Sequence, residues 1–163
     1  MAVSTHEAQG VGEGRQAMAS ERALSRESPE LIRRGEMSWG TAPDAFPAGC
    51  ELCVLHGDPG AKGAMFSVRL RTSEQYVFAP HCHPHDEHVT VISGRLHLGN
   101  GRTLDRASAR LLEPGDYAFL PKEQYHYAWS AADDTVIQVE AIGPFAITYA
   151  NAEDDPRNAA TAH

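Results

Sequence analysis

The segment His81-Cys82-His83-Pro84-His85-Asp86-Glu87-His88 packs four imidazoles and two carboxylates into eight residues, and Val89-Thr90-Val91-Ile92-Ser93-Gly94 follows at once. No other stretch limits the fold as strongly. Residues two apart on a strand share a face, so His81 and His83 present two ring nitrogens side by side. Pro84 and Asp86 signal a turn, and Glu87 opens a strand rich in β-branched residues. Folding that hairpin back brings the Glu87 carboxylate next to the two imidazoles. Two nitrogens and one oxygen converging from rigid strands make a site for a divalent metal ion.

A fourth ligand is available further on, where Gly115-Asp116-Tyr117-Ala118-Phe119-Leu120-Pro121 leads to His126, between Tyr125 and Tyr127. Here the chain resembles the cupin superfamily. His81, His83, Glu87 and Gly94 fit its first motif position by position, and Gly115, Pro121 and His126 fit its second. Two positions depart from the pattern: Glu123 stands where the family usually has glycine, and Ser130 where it often has asparagine. Neither position supplies a ligand, so the departures bear on loop geometry.

From about Leu31 to Arg157 the chain is similar to small single-domain bacterial cupins of unassigned reaction. His56-Gly57-Asp58-Pro59, the tail Gly143-Pro144-Phe145-Ala146-Ile147-Thr148-Tyr149 and Asp154-Asp155-Pro156-Arg157 carry that similarity along with the hairpin. The resemblance implies an all-β fold, the cupin double-stranded β-helix or jelly-roll β-barrel, with a short N-terminal extension. It also implies His81, His83, Glu87 and His126 as metal ligands, and a homodimer. The expected organisation is a flexible extension at 1–27, a cupin domain at 28–157 and a C-terminal tail at 158–163.

The residues support the same class independently. Short stretches of strand character recur at about Glu51–His56, Ala64–Arg71, Tyr76–Pro80, Glu87–Ser93, Arg95–Leu98, Ala107–Leu112, Tyr117–Leu120, Tyr125–Trp129, Thr135–Ile142 and Phe145–Tyr149. Turn residues such as Asp58-Pro59-Gly60 and Gly99-Asn100-Gly101 separate them, the punctuation of a sandwich or barrel. In Ala64–Arg71, Phe66, Val68 and Leu70 should face inward, and Ser67 and Arg69 outward. Thr41 to Gly49, with Pro43 and Pro47, reads as loop.

A net charge of -8 over 163 residues argues against a nucleic-acid surface, which needs a clustered basic face. No apolar run approaches the ~18–20 residues of a membrane span, and Glu7, Gln9, Glu13 and Arg15 stand where a secretory signal has its apolar core. The expected location is cytoplasmic. Cys50 and Cys53 are three apart on a strand and so face opposite sides, a poor geometry for a disulfide. They read as buried free thiols; Cys82 alternates with His81 and His83, so it should point away from the metal and is a weak ligand candidate.

Three imidazoles and one carboxylate suit Fe(II), which is favoured, but also Mn, Ni, Co or Zn. On a six-coordinate ion, four protein ligands leave two positions open, a catalytic arrangement. His85 and His88 read as surface or supporting residues. On the strand Thr135–Ile142, Gln138 and Glu140 share a face. If that face lines the cavity, both are candidate catalytic residues, with Glu140 as a base. Tyr125, Tyr127, Phe119 and Trp129 are expected to shape the pocket wall, with simple core packing the better reading for at least two of them. The favoured function is a metal-dependent enzyme on a small organic molecule, an Fe(II) dioxygenase. A metal-dependent isomerase, cyclase or lyase and a non-enzymatic zinc- or ligand-sensing module are the alternatives.

Overall fold

The structure, a computed structural model, describes residues 30–159. The expected extension at 1–27 and the tail beyond 159 lie outside the described residues. The chain divides after Ile32, and among the described residues the unit Arg33–His163 holds all the strands. It starts with a 3-10 turn at Arg34–Glu36 and continues through β1 (Gly40–Thr41), β2 (Cys50–His56), β3 (Met65–Thr72), β4 (Val77–Cys82) and β5 (Glu87–Ser93). Next come β6 (Leu96–Asn100), β7 (Arg110–Leu112), β8 (Tyr117–Leu120), β9 (His126–Ser130), β10 (Thr135–Ile142) and β11 (Thr148–Tyr149). A 3-10 turn, Ala152–Asp154, and a single helical turn, α1 (Pro156–Ala159), follow. Two antiparallel sheets form, one in the order β1-β2-β3-β10-β5-β8 and the other β11-β4-β9-β6-β7.

Period-two alternation explains why the sheets face each other. Phe66, Val68 and Leu70 of β3 are buried, as are Val89 and Val91 of β5 and Ile137 and Val139 of β10. Phe78 of β4, Leu96 of β6 and Ala128 of β9 join the same cluster from the opposite sheet. Burying side chains of this size contributes about 1.5–3 kcal/mol each. The turn between β5 and β6 needs Gly94, whose φ of +74° suits glycine and whose absent side chain leaves room for the Thr135 backbone.

Several expectations need correction. Ser67 faces outward as expected, but it is buried there. One residue of the expected 41–49 loop, Thr41, belongs to β1, which pairs Gly40 with Leu52 and Thr41 with Glu51. The strand expected from Ala107 starts only at Arg110, because Asp105 captures the chain first. Its carboxylate accepts from the Ala107 N–H (2.9 Å) and its carbonyl from the Ser108 hydroxyl (3.3 Å), a local alternative to the ladder. Phe145–Tyr149 yields only β11, since the Phe145 N–H donates to the Pro59 carbonyl, 2.7 Å away. The three cysteines are buried and free.

Candidate metal centre

A bulge brings the first histidine inward. Val77 and Phe78 of β4 pair with Trp129 and Ala128 of β9, but the register then slips so that His81 pairs with His126. Phe78 and His81 both line the central cavity although they are three residues apart. On a regular strand they would face opposite ways; the extra residue at Ala79-Pro80 turns His81 back in. His83 follows β4, and Glu87 is the first residue of β5. The loop that delivers His126 is tied to this hairpin by two backbone donors. The Lys122 N–H donates to the Asp86 carboxylate (2.8 Å), and the Glu123 N–H to the His83 carbonyl (2.8 Å). Glu123 makes the second contact with a φ of +62°, the left-handed region that glycine occupies most easily.

Each of the three imidazoles has its Nδ1 against a backbone carbonyl. His81 donates to Ala79 (2.6 Å), His83 to Ala146 (2.8 Å) and His126 to Gln124 (3.2 Å). A carbonyl only accepts, so Nδ1 carries the proton and Nε2 is left as a bare acceptor in the neutral ring. One ring nitrogen from each histidine falls within 4.8 Å of the other two. Glu87 Oε2 lies 3.5 Å from His83 Nε2 and 3.6 Å from His126 Nε2. Both separations exceed hydrogen-bond length, so these acceptors face one another with no shared proton between them.

The electrostatics agree with that picture. Burial holds the His81 imidazole well below the usual histidine value, and the His126 and His83 rings lower it further. Burial likewise pushes His126 down to about 4, with His83 adding to the effect. Glu87 is raised by burial, against a smaller opposing pull from His83. All four residues are buried. Uncharged imidazoles with acceptor atoms converging beside a carboxylate are the donor set that a divalent cation requires, so the residues fit a metal. The cavity above them measures about 40 Å³, a few times the ~10–15 Å³ that one water needs.

Gln138 and Glu140 do not reach this site. The inward positions of β10 are Ile137 and Val139, and Ile137 lines the cavity. Strand parity puts Gln138 and Glu140 on the outer face, where the Gln138 amide donates to Glu140 (3.0 Å) and accepts from Arg69 (3.1 Å). Glu140 instead borders an outer groove of about 490 Å³ with His85, Asp86, His88 and Lys122. His88 is exposed, with its Nδ1 2.6 Å from the Tyr117 hydroxyl.

The expected aromatic wall is also corrected. Tyr127 and Trp129 alternate with His126 and Ala128 and therefore point away from the cavity. The Tyr127 hydroxyl donates to the Asp105 carbonyl (2.8 Å), and Trp129 stacks on His97. Tyr125 lies under Arg102, and Phe119 is exposed. Phe46, Phe78 and Phe145 form the wall in their place, and Phe145 is stacked on the His83 ring at 5.3 Å. Sequence reasoning missed Phe46 in its proline-flanked loop. Phe145 stood in the singled-out tail but was given no role.

No family profile matches the chain, and neither does any curated protein. Solved structures do match. The polyketide cyclase RemF from Streptomyces resistomycificus superposes with a TM-score of 0.64 at 17% identity, covering 79% of this chain and 90% of that one. A putative acetylacetone dioxygenase from Methylibium petroleiphilum gives 0.61 at 15% identity, covering 85% and 98%. A cupin 2 conserved barrel domain protein from Rhodopseudomonas palustris gives 0.56 at 16% identity, covering 80% and 95%.

Proposed function

We propose that this protein, whose fold is that of the cupin superfamily, is a metal-dependent enzyme acting on a small organic molecule, with His81, His83, Glu87 and His126 as the metal ligands. The observation that carries the reading is the set of three carbonyl-anchored imidazoles whose bare Nε2 atoms converge beside Glu87. A divalent ion held there would supply Lewis acidity, and iron would add redox chemistry with dioxygen. The chain's own residues do the rest. The carbonyls of Ala79, Ala146 and Gln124 fix tautomer and ring orientation, which keeps the ligands ready without reorganisation. Glu87 contributes the one negative charge, and Phe145 packs on His83 and helps to exclude water.

Of the reactions open to such a site, Fe(II)-dependent dioxygenation is the one we favour, and similarity to a putative acetylacetone dioxygenase supports it. The second reading is Lewis-acid isomerisation, cyclisation or elimination, supported by similarity to a polyketide cyclase. Metal analysis of unstripped protein, followed by oxygen uptake by the Fe(II) form across a panel of small oxygenated compounds, separates the two. Uptake that requires both iron and one compound supports dioxygenation. Turnover without oxygen, and with zinc as effective as iron, supports the second reading.

We also propose a homodimer through the outer face of the β1-containing sheet, where Ile92, Tyr117 and Phe119 expose large apolar surfaces. Light scattering at micromolar concentration tests it, and a monomer would refute it.

A further inference from the structure

The cavity wall narrows the class of ligand, provided that the metal reading above holds. Apart from His81, His83, Glu87 and His126, every described residue that lines it is apolar, as in Leu70, Val89, Leu98, Leu120, Ile137 and Phe145. Polar side chains buried elsewhere in the domain are engaged with the backbone or with each other. The Tyr76 hydroxyl donates to the Pro47 carbonyl (2.7 Å), the Tyr149 hydroxyl donates to the Ala45 carbonyl (2.8 Å), and Thr72 and Ser130 bond each other (2.5 Å). None of these lines the cavity, and Gln138 and Glu140 lie on the far side of β10.

A ligand can therefore use polar atoms only at its metal-facing end. A second charge or hydroxyl cluster would be stripped of water with nothing to replace it, at a large cost in affinity. Charge adds a second condition. Three neutral imidazoles and one carboxylate leave a divalent ion with one uncompensated positive charge in an apolar enclosure. We infer that the site takes a small singly charged oxygen chelate, such as an enolate or hydroxamate, whose other end is apolar and uncharged. Sugars, phosphorylated compounds and dicarboxylates are excluded.

Titration of the full chain loaded with Co(II) tests this through the visible absorption of the ion, with calorimetry in parallel and no turnover involved. Acetohydroxamic acid offers the chelating head with a methyl tail. Succinic monohydroxamic acid keeps the same head and adds a carboxylate, and hydroxyacetone matches the first in size and in its two oxygen donors without ionising at neutral pH. Acetohydroxamate should shift the spectrum and bind at least about tenfold more tightly than either of the others. Equal or tighter binding of the carboxylate-tailed compound would overturn the apolar-end condition, and equal binding of hydroxyacetone would overturn the charge condition. Failure to take up Co(II) at all would overturn the metal reading itself and this inference with it.

Discussion

His81 and His83 come from the same short segment as His85 and His88, yet the two pairs occupy opposite environments. The first pair, with His126, is buried, and each ring is pinned through Nδ1 to a backbone carbonyl. His88 is exposed and meets a tyrosine hydroxyl, and His85 borders an open groove. Strand β10 repeats the contrast at adjacent residues, with Ile137 inside the barrel and Gln138 outside. Residue type does not make a ligand. Side-chain direction, burial and a partner that fixes the tautomer do.

The largest expected effect tests the histidine contrast. His81→Ala, His83→Ala, Glu87→Ala and His126→Ala should each lose most of their metal, by more than the roughly 10–100-fold in affinity that removing a supporting partner costs. Circular dichroism should stay β-rich, since the apolar core is untouched. His85→Ala and His88→Ala should keep most of their metal.

The contrast within β10 comes next. Ile137→Ala removes buried apolar volume and should cost about 2–5 kcal/mol by denaturant titration. Gln138→Ala, on the outer face, should stay within about 0.5 kcal/mol. Similar losses for both would mean that the outer face is as tightly packed as the core.

Much of this was legible in the chain. The alternation of Phe66, Val68 and Leu70 marked β3, and the spacing of the two motifs picked out four residues that the fold brings together. Parity alone could not assign Gln138 and Glu140, because both faces of β10 carry residues that a sheet can bury. The facing sheet decides, and that is tertiary information. Tyr127 and Trp129 could have been set aside from the start, since they alternate with His126. The bulge at Ala79-Pro80 was hidden, because the slip shows only against the partner strand.

Acidification should act through the buried histidines. The His126 value in the folded protein is depressed to about 4 by burial, against about 6.5 for a free histidine. The unfolded chain therefore binds more protons between these values, and metal-free stability should fall as pH drops from about 6.5 toward 4. The loss from His126 is on the order of 3 kcal/mol, and His81 acts in the same direction. Glu87, raised by burial, acts in the opposite sense, since lower pH favours its protonated folded form. Melting temperature followed across this range should decline. A rise on acidification would contradict the buried, neutral His81 and His126.

A small effect of the opposite sign is expected at Glu123, which holds a positive φ of +62°. Glu123→Gly relieves the left-handed strain but gains freedom in the unfolded chain, for a net stabilisation of about 0.5–1 kcal/mol. A small rise in melting temperature with unchanged metal content would agree.

The central claim is that three buried histidines and Glu87 form one metal site while their exposed neighbours do not take part. Calorimetric titration of metal-free protein with Co(II) at neutral pH tests it in wild type, in His126→Ala and in a His85→Ala/His88→Ala double variant. One ion per chain is expected for the wild type and the double variant, with none detectable at the same concentrations for His126→Ala. Undiminished binding by His126→Ala, or its loss in the double variant, would contradict the account.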